Sequence, residues 1–295
     1  MTRITAAAIQ HACTEDPEAN LQSSIDGIEQ AADQGADLVV LPELHRTPYF
    51  CQTQDPDHFD LAETIPGDTT EQLGDLAAEL GLVIIASVFE KAGNGVCHNT
   101  AVALDTDGEI AGRYRKMHIP QDPGFEEKFY FTPGQNPFRP IDTSLGRLGV
   151  MLCWDQWFPE AARLMALAGA EILIYPTAIG WDVTDDDAEQ SRQFDAWQTV
   201  QRGHAIANHL PLIACNRTGF ESSPDGMDPG IAFWGGSFIC GPQGEILAEG
   251  DDREAVLMAE LDLSRTEELR RIWPFFRDRR VDAYTELLEL HRDEH

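Results

Sequence analysis

Short apolar runs alternate with segments of helical periodicity along the whole chain. The runs 38–41 and 148–152 are almost wholly apolar, as is typical of buried strands. Apolar residues three and four positions apart in 17–35 and 69–80 instead predict amphipathic helices, each ending at a glycine. The combination predicts an α/β fold of one domain, residues 1–295, with two similar halves.

The remaining predicted elements follow the same two patterns. Further strands are predicted at 4–10, 83–89, 100–104, 110–114, 171–175, 210–216, 238–240, 245–248 and 255–261, and a long helix at 189–208. The segments 44–66, 115–133 and 176–187 are predicted to be loops. A loop as long as 115–133 inside a compact domain indicates a functional segment.

The chain is strongly acidic. It carries 51 Asp and Glu residues against 21 Lys and Arg residues, a formal net charge of −30. A field of that sign repels nucleic acid and anionic membranes, so we expect neither as a partner. We expect a halophilic surface suited to a salt-rich cytoplasm, where screening weakens the repulsion between like charges. Attraction of a cationic substrate is a second, compatible use of the same charge.

The cysteine pattern indicates a cytoplasmic protein without a metal centre. The six cysteines form no Cys-x-x-Cys pair, and neither they nor the nine histidines show the spacing of a metal site. In a chain of 295 residues this indicates reduced thiols. The N-terminus is predicted to be a strand rather than a signal peptide, and no apolar run approaches the ~18 residues of a membrane span.

One cysteine lies where a buried strand is predicted to turn into a helix. The run 148–152 ends at Cys153, and Pro159 opens a helical pattern. A side chain at such a strand end is held rigidly at the rim of the sheet. The backbone N–H of Trp154 is then a donor for a developing oxyanion. A buried structural thiol is the alternative reading of any single cysteine.

Two other predicted strand ends carry reactive side chains. Glu43 follows the run 38–41, and Lys116 follows the strand at 110–114. With Cys153 they form a set that is sufficient for acyl transfer, since a carboxylate can take the thiol proton and the thiolate is the nucleophile. The ammonium can stabilise the tetrahedral oxyanion, and the carboxylic acid can return its proton to a departing amine.

These motifs resemble those of the nitrilase (carbon–nitrogen hydrolase) superfamily. The resemblance rests on Leu-Pro-Glu-Leu at 41–44, Tyr-Arg-Lys-Met-His-Ile-Pro at 114–120 and Cys-Trp-Asp-Gln-Trp-Phe-Pro-Glu at 153–160, and it covers nearly the whole chain. The segments 124–131, 175–180 and 276–280 look most like the N-carbamoylputrescine amidase branch of that superfamily.

The resemblance implies a fold and a set of roles. The fold is a four-layer α-β-β-α sandwich that forms a homodimer or higher homo-oligomer, with the tail from about residue 263 at the dimer interface. Glu43 would be the general base, Lys116 the lysine beside the oxyanion and Cys153 the nucleophile. Glu127 matches a second glutamate that orients the lysine, and its neighbour Glu126 is the weaker candidate. No metal or organic cofactor is implied.

The implied substrate is a small N-carbamoyl amine, with N-carbamoylputrescine first, cleaved to putrescine, CO2 and ammonia through a covalent Cys153 intermediate. In that branch a glutamate follows the segment 175–180 and faces the distal amine, whereas here Trp181 and Asp182 stand there. We expect Asp182 to meet the substrate's ammonium group and Trp181 to add a cation–π face. The Asp triplet at 185–187 is expected to be solvated loop charge.

Two alternatives follow from the same residues. A β-ureidopropionase-like or ω-amidase-like hydrolase would take a carboxylate-bearing urea or amide and would need a cation in the pocket, for which Arg217 is the candidate. A catalytically silent nitrilase-fold binding protein is the alternative of another class. A papain-like Cys–His pair would require a histidine base, but His118, the histidine near a motif, is expected to pack against the Lys116 loop or to orient it.

Overall fold

The computed structural model describes residues 3–135, 138–223, 226 and 229–292. Most of its first sheet comes from the N-terminal part of the chain. In spatial order the strands are β15 (Ala255–Asp262), β1 (Arg3–Gln10), β2 (Leu38–Val40), β3 (Val83–Gly93), β4 (Val96–Leu104) and β5 (Ile110–Arg115). The strands β1, β2 and β3 are parallel, and the outer strands pair antiparallel with their neighbours. The carboxyl ends of β2 and β5 therefore lie at the same edge of the sheet.

The second sheet repeats this plan with later parts of the chain. Its strands in spatial order are β14 (Ile246–Glu249), β13 (Phe238–Cys240), β10 (Leu212–Asn216), β8 (Ile172–Thr177), β7 (Gly146–Val150) and β6 (Ile141–Thr143). The central strands β7, β8 and β10 are parallel, and each outer strand pairs antiparallel with its neighbour. Each half of the chain thus supplies three central parallel strands, in agreement with the predicted similarity of the halves.

Helices cover the outer faces of both sheets. The helices that do so are α1 (Pro17–Asp33), α2 (Asp68–Leu80), α4 (Pro159–Leu167) and α5 (Asp187–Asn208), whereas α3 (Glu127–Tyr130) and α6 (Ser264–Ile272) are short helices elsewhere in the chain. Buried side chains of α1 and α2 pack against one face of the first sheet. Those of α4 and α5 join a second cluster that also contains the facing sides of both sheets. The layers are therefore helix, sheet, sheet and helix, and the predicted α-β-β-α sandwich is confirmed.

A third, small sheet was not predicted. Its strands are β11 (Thr218–Glu221), β12 (Ile231–Trp234) and β9 (Gly180–Asp182), with β12 in the middle. β9 lies inside the segment 176–187, which was predicted to be a loop. It was missed because a strand of three residues is too short to show a periodic pattern. Gly180 permits the pairing, since a Cβ there would lie 2.3 Å from the carbonyl oxygen of Ala232.

The C-terminal segment follows β15 and lies partly over α4 and α5. After α6 the chain forms two short 3-10 turns, Val281–Ala283 and Thr285–Leu288. The guanidinium of Arg163 in α4 lies 4.6 Å from the ring centre of Phe276. Residues 293–295 of the predicted tail lie outside the described residues. Within the described part of the chain, no helix is both long and apolar enough to cross a membrane.

Candidate active site

Cys153 lies on a sharp turn between β7 and α4. Leu152 is extended, with a φ of −122°, whereas Cys153 has a φ of 33°, an uncommon value for a residue that carries a Cβ. Cys153 begins a 3-10 turn that ends at Trp157 and is followed by Pro159 of α4. The thiol is buried, with Sγ 3.8 Å from the carbonyl oxygen of Ala178. The turn therefore holds the thiol in one place at the carboxyl edge of the second sheet.

A buried cluster of three charged side chains acts electrostatically on this thiol. Lys116 Nζ lies 2.8 Å from Glu43 Oε1 and 2.9 and 2.7 Å from the two carboxylate oxygens of Glu127. All three side chains are at most 1% exposed. They come from three places in the chain, since Glu43 follows β2, Lys116 follows β5 and Glu127 begins α3. The fold thus brings together the four residues predicted for catalysis.

The two carboxylate oxygens of Glu43 have different surroundings. Oε1 accepts hydrogen bonds from Lys116 Nζ and, at 2.7 Å, from Asn99 Nδ2. Asn99 is itself held by Ser87, whose hydroxyl donates to Asn99 Oδ1 at 3.1 Å. Oε2 of Glu43 is buried and has no hydrogen-bond partner among the described residues. That oxygen is an acceptor available for a proton, as a general base requires.

Burial and charge set the protonation of the cluster. Burial, together with the nearby Glu43, raises the pKa of the Cys153 thiol, so the resting group is a thiol and needs a base. Burial works against the Lys116 ammonium, but Glu127 and Glu43 outweigh it and hold its pKa well above the ordinary value. Burial, with Glu43 adding to it, raises the pKa of Glu127 to about 7 although Lys116 opposes the shift. Glu127 is therefore the member of the cluster whose protonation changes near neutral pH.

Asp155 connects the nucleophile turn to the lysine loop. Its Oδ2 accepts from the backbone N–H of Leu152 at 3.1 Å and from the Tyr114 hydroxyl at 2.8 Å. Its Oδ1 lies 2.6 Å from Nδ1 of His118 and also accepts from the backbone N–H of that residue. The His118 ring stacks on Phe158, with ring centres 3.6 Å apart. His118 thus packs beside the Lys116 loop, as the sequence predicts.

A cavity of about 350 Å³ is lined by Cys153 and Glu127. Its aromatic lining residues are Phe125, Trp154, Trp157 and Trp234. Its other carboxylates are Asp122, Asp182 and Asp185. Among the described residues, no lysine or arginine lines it. The cavity wall therefore combines aromatic and acidic side chains, which suits a small molecule that carries a positive charge.

The sequence of this chain matches the family model of the carbon–nitrogen hydrolases over residues 5–271. The chain belongs to the carbon–nitrogen hydrolase family. It is a hydrolase that acts on carbon–nitrogen bonds, which argues against the silent binding protein.

The similar proteins agree with this assignment over nearly the full chain. The N-carbamoylputrescine amidase of Solanum lycopersicum is 45% identical over 97% of this chain and 95% of its own length. The citrullinase of Francisella tularensis is 42% identical over 98% of this chain and 99% of its own. The crystal structure of a carbon–nitrogen hydrolase from Helicobacter pylori G27 has a TM-score of 0.96 and 53% identity, covering 98% of this chain and 100% of that one.

The structure separates the two residues predicted to bind the substrate's distal end. Asp182 lines the cavity, whereas Trp181 is not among its lining residues. The Trp181 indole N–H donates instead to the carbonyl oxygen of Gln190, and its ring packs against Trp234, with centres 5.4 Å apart. Because successive side chains of a strand point to opposite faces, Trp181 lies on the face of β9 opposite to Asp182. These contacts do not test a cation–π contact between Trp181 and a substrate, which stays a prediction.

Three other expectations can be compared with the contacts. Of the two adjacent glutamates, Glu127 contacts Lys116, whereas Glu126 accepts from Gln54 Nε2 at 2.7 Å at the surface. Arg217 does not line the cavity, and its guanidinium is buried and bonded to protein oxygens. In the Asp triplet, Asp185 lines the cavity and is not simply solvated charge.

Three residues that contact the cluster were missed in the sequence. Tyr49 donates its hydroxyl proton to Glu127 Oε1 at 2.7 Å, and Asn99 holds Glu43. Gln156 places its amide nitrogen 4.0 Å from Sγ of Cys153, and its carbonyl oxygen accepts from Trp197. Asn99 lies inside β4, but the predicted strand began at residue 100, so its polar side chain was not recognised as part of a buried strand. Tyr49 lies in a long irregular segment and gave no signal.

Proposed function

We propose that the protein hydrolyses N-carbamoylputrescine to putrescine, CO2 and ammonia. The acidic cavity wall carries this proposal, because Asp122, Asp182 and Asp185 line the same cavity as the Cys153 thiol. The similar plant amidase adds independent support. N-carbamoyl-β-alanine and ω-amides end in a carboxylate, which such a wall repels. Citrulline ends in an ammonium and a carboxylate together, so it suits the wall less well than a simple diamine does.

In the first half-reaction, Glu43 Oε2 takes the proton of the Cys153 thiol, and Sγ attacks the ureido carbon. The carbonyl oxygen becomes an oxyanion. The Lys116 ammonium and the backbone N–H of Trp154 are its donors, since the first N–H groups of a helical turn have no acceptor within it. Glu43 then returns its proton to the leaving nitrogen, the C–N bond breaks, and a carbamoyl thioester remains on Cys153.

In the second half-reaction, a water molecule gives a proton to Glu43 and attacks the thioester carbon. The Cys153 sulfur leaves and recovers that proton. The released carbamic acid decomposes to CO2 and a nitrogen compound, either the amine or ammonia according to which nitrogen left first. Glu127 keeps Lys116 in place through both steps, because both of its carboxylate oxygens contact Nζ.

A substrate panel tests the proposal directly. We expect kcat/KM, measured by ammonia release, to be at least about tenfold higher for N-carbamoylputrescine than for citrulline or N-carbamoyl-β-alanine, a difference of roughly 1.4 kcal/mol. Preference for N-carbamoyl-β-alanine would transfer the assignment to the carboxylate-bearing class.

The substitution Asp182→Asn is expected to lower kcat/KM for N-carbamoylputrescine by about tenfold and to leave a neutral alkyl urea of similar length unchanged. The bonds from Thr184 to Asp182 Oδ1 lower the pKa of this aspartate and keep it ionised. The side chain is largely exposed, so solvent screening limits the effect.

The matched control is Asp107→Asn, which removes the same charge from the turn between β4 and β5. Asp107 does not line the cavity, so both substrates should keep their wild-type rates. Equal losses of kcat/KM for the charged and the neutral substrate in Asp182→Asn would show that Asp182 supports the cavity structurally and does not bind the substrate's ammonium group.

The pKa of about 7 for Glu127 predicts an acid limb in the pH profile. The ionised Glu127 carboxylate holds the Lys116 ammonium, so its protonation removes activity as the pH falls. We expect kcat/KM to decrease about tenfold per pH unit below pH 7, with full recovery when the enzyme returns to pH 8. A profile that stays flat down to pH 5 would contradict the proposed protonation states.

We further propose that the protein forms a homodimer through α4, α5 and the C-terminal tail. Exposed apolar side chains occur on all three, including Leu164, Leu167, Ile206 and Leu288, the last of which is 94% exposed. Phe276 of the tail contacts Arg163 of α4, so the tail continues the apolar face of the helix. A second copy of the chain would cover this apolar surface and remove it from water.

Replacing both Leu164 and Leu167 with glutamate is expected to convert the dimer into a monomer, as measured by sedimentation velocity. The control is Val96→Glu, which places a charge on an exposed apolar residue of β4, away from the proposed interface. A wild-type protein that sediments as a monomer at micromolar concentration would rule out this interface.

A further inference from the structure

Arg217 and Glu221 form a buried ion pair close to the backbone of Glu43 and to Tyr49, which contacts Glu127. Arg217 follows β10, and Glu221 is the last residue of β11. Nη1 of Arg217 lies 2.6 Å from Glu221 Oε1, and the two side chains are 0% and 6% exposed. Neither residue lines the cavity beside Cys153. A buried pair of this kind adds little net stability by its attraction alone, because desolvation of the charges offsets it.

The arginine fixes the backbone that carries the general base. Nη2 of Arg217 donates to the carbonyl oxygens of Glu43, at 2.8 Å, and of Leu44, at 2.9 Å. Nη1 also donates to the carbonyl oxygen of Thr47 at 3.2 Å. Leu44 has a left-handed φ of 50°, a conformation that a branched side chain rarely adopts. The planar guanidinium thus holds a strained turn directly after Glu43.

The glutamate fixes the residue that contacts the second carboxylate. Glu221 Oε2 accepts the backbone N–H of Tyr49 at 2.5 Å. The Tyr49 hydroxyl donates to Glu127 Oε1 at 2.7 Å. The Arg217 guanidinium also lies 5.9 Å from the centre of the Tyr49 ring. The ion pair is therefore connected to both glutamates that contact Lys116. Arg217 reaches Glu43 through its backbone carbonyl, and Glu221 reaches Glu127 through Tyr49, whose side-chain hydroxyl makes the last contact (the side-chain route).

We propose that Arg217 and Glu221 are positioning residues that hold Glu43 and Glu127 at their working distances from Lys116 and Cys153. The inference rests on the proposed function in one respect, since it takes Glu43 as the group that receives the thiol proton. It gives Arg217 a role that differs from substrate binding. A cation placed there orients the base through the backbone and touches neither the substrate nor the thiol.

Glu221→Gln and Arg217→Lys test the proposal. A glutamine has one acceptor atom where Glu221 uses two, one for Arg217 Nη1 and one for the Tyr49 N–H. A lysine has one nitrogen, so it cannot occupy both the Nη2 position, which donates to the carbonyl oxygens of Glu43 and Leu44, and the Nη1 position beside Glu221. For each variant we expect kcat to fall by about tenfold to 100-fold while KM stays within about threefold, because neither residue reaches the cavity. The alkylation rate of Cys153 by iodoacetamide, followed against pH, should change in parallel.

A destabilised control separates positioning from general loss of structure. Leu73→Ala removes a buried side chain of α2 from the cluster on the outer face of the first sheet. It should lower the melting temperature at least as much as the two variants do, with kcat and the alkylation profile unchanged. If Leu73→Ala loses kcat in the same proportion, Arg217 and Glu221 act only through stability and the proposal is overturned.

Tyr49→Phe provides a variant that retains the ion pair. It removes the hydroxyl that donates to Glu127 and keeps the ring and the backbone N–H. We expect kcat to fall about threefold to tenfold and the acid limb of the pH profile to move, with the melting temperature nearly unchanged. An unchanged kcat and pH profile would refute the side-chain route to Glu127.

The alkylation experiment needs no substrate, so it distinguishes two failures. If Glu43→Gln leaves the alkylation profile of Cys153 unchanged, Glu43 is not the base and the proposed function fails at that step. If Glu43→Gln changes the profile but Glu221→Gln and Arg217→Lys do not, the base is correct and the positioning proposal alone is wrong.

Discussion

Cys153→Ala is expected to abolish hydrolysis, with a loss on the order of 10⁴-fold or more in kcat. The cavity wall offers no other thiol, since Cys153 is the one cysteine among the described residues that line it. An alanine cannot form the thioester, and the remaining oxyanion donors stabilise only the slow direct attack of water. The measurement is ammonia release from N-carbamoylputrescine, together with the intact mass of the protein after brief iodoacetamide treatment.

The control for this substitution is Cys240→Ala. Cys240 is a buried thiol of β13 and lies outside the cavity lining, so its loss should lower stability slightly and leave kcat unchanged. Retention of activity within about tenfold of wild type in Cys153→Ala, a difference of roughly 1.4 kcal/mol in the barrier, would exclude covalent catalysis by this residue.

The sequence was sufficient to predict where the catalytic groups come from. Glu43, Lys116 and Cys153 each follow a short apolar run, and the ends of strands are positions where a reactive side chain can be held beside a sheet edge. The fold confirms this logic for the strands, because β2 and β5 end at the same edge of the first sheet. β2 and β5 run in the same direction, and this shared direction is the physical reason that the motifs following them meet.

The contacts around those groups could not be predicted in the same way. Tyr49 and Glu221 are 172 residues apart in the chain, and only the packing of the third sheet brings them together. Trp181 was expected beside Asp182 because the segment 176–187 was predicted to be a loop, in which neighbouring side chains can face the same way. Once Gly180 pairs with β12, the alternation of the strand sends Trp181 and Asp182 to opposite faces.

Lys116→Arg is expected to lower kcat by about 10³-fold or more, although the charge is conserved. The ammonium lies fully buried between two carboxylates, at 2.7 to 2.9 Å from three of their oxygens. A guanidinium is planar and larger, so it cannot occupy that position without displacing Glu43 or Glu127. The chain offers a matched control in Lys91→Arg, since Lys91 is an exposed lysine of β3, and its kinetics should remain those of wild type.

A pair of further variants separates the two roles of the lysine. Lys116→Met leaves Glu43 and Glu127 buried without their cation, which is expected to cost about 3–5 kcal/mol of stability. The double variant with Lys116→Met and Glu127→Gln removes one negative charge as well and should recover most of the lost melting temperature. Activity should remain absent in both, because neither offers a cation to the oxyanion. If the double variant also recovers turnover, Lys116 serves only to neutralise the carboxylates and takes no part in stabilising the transition state.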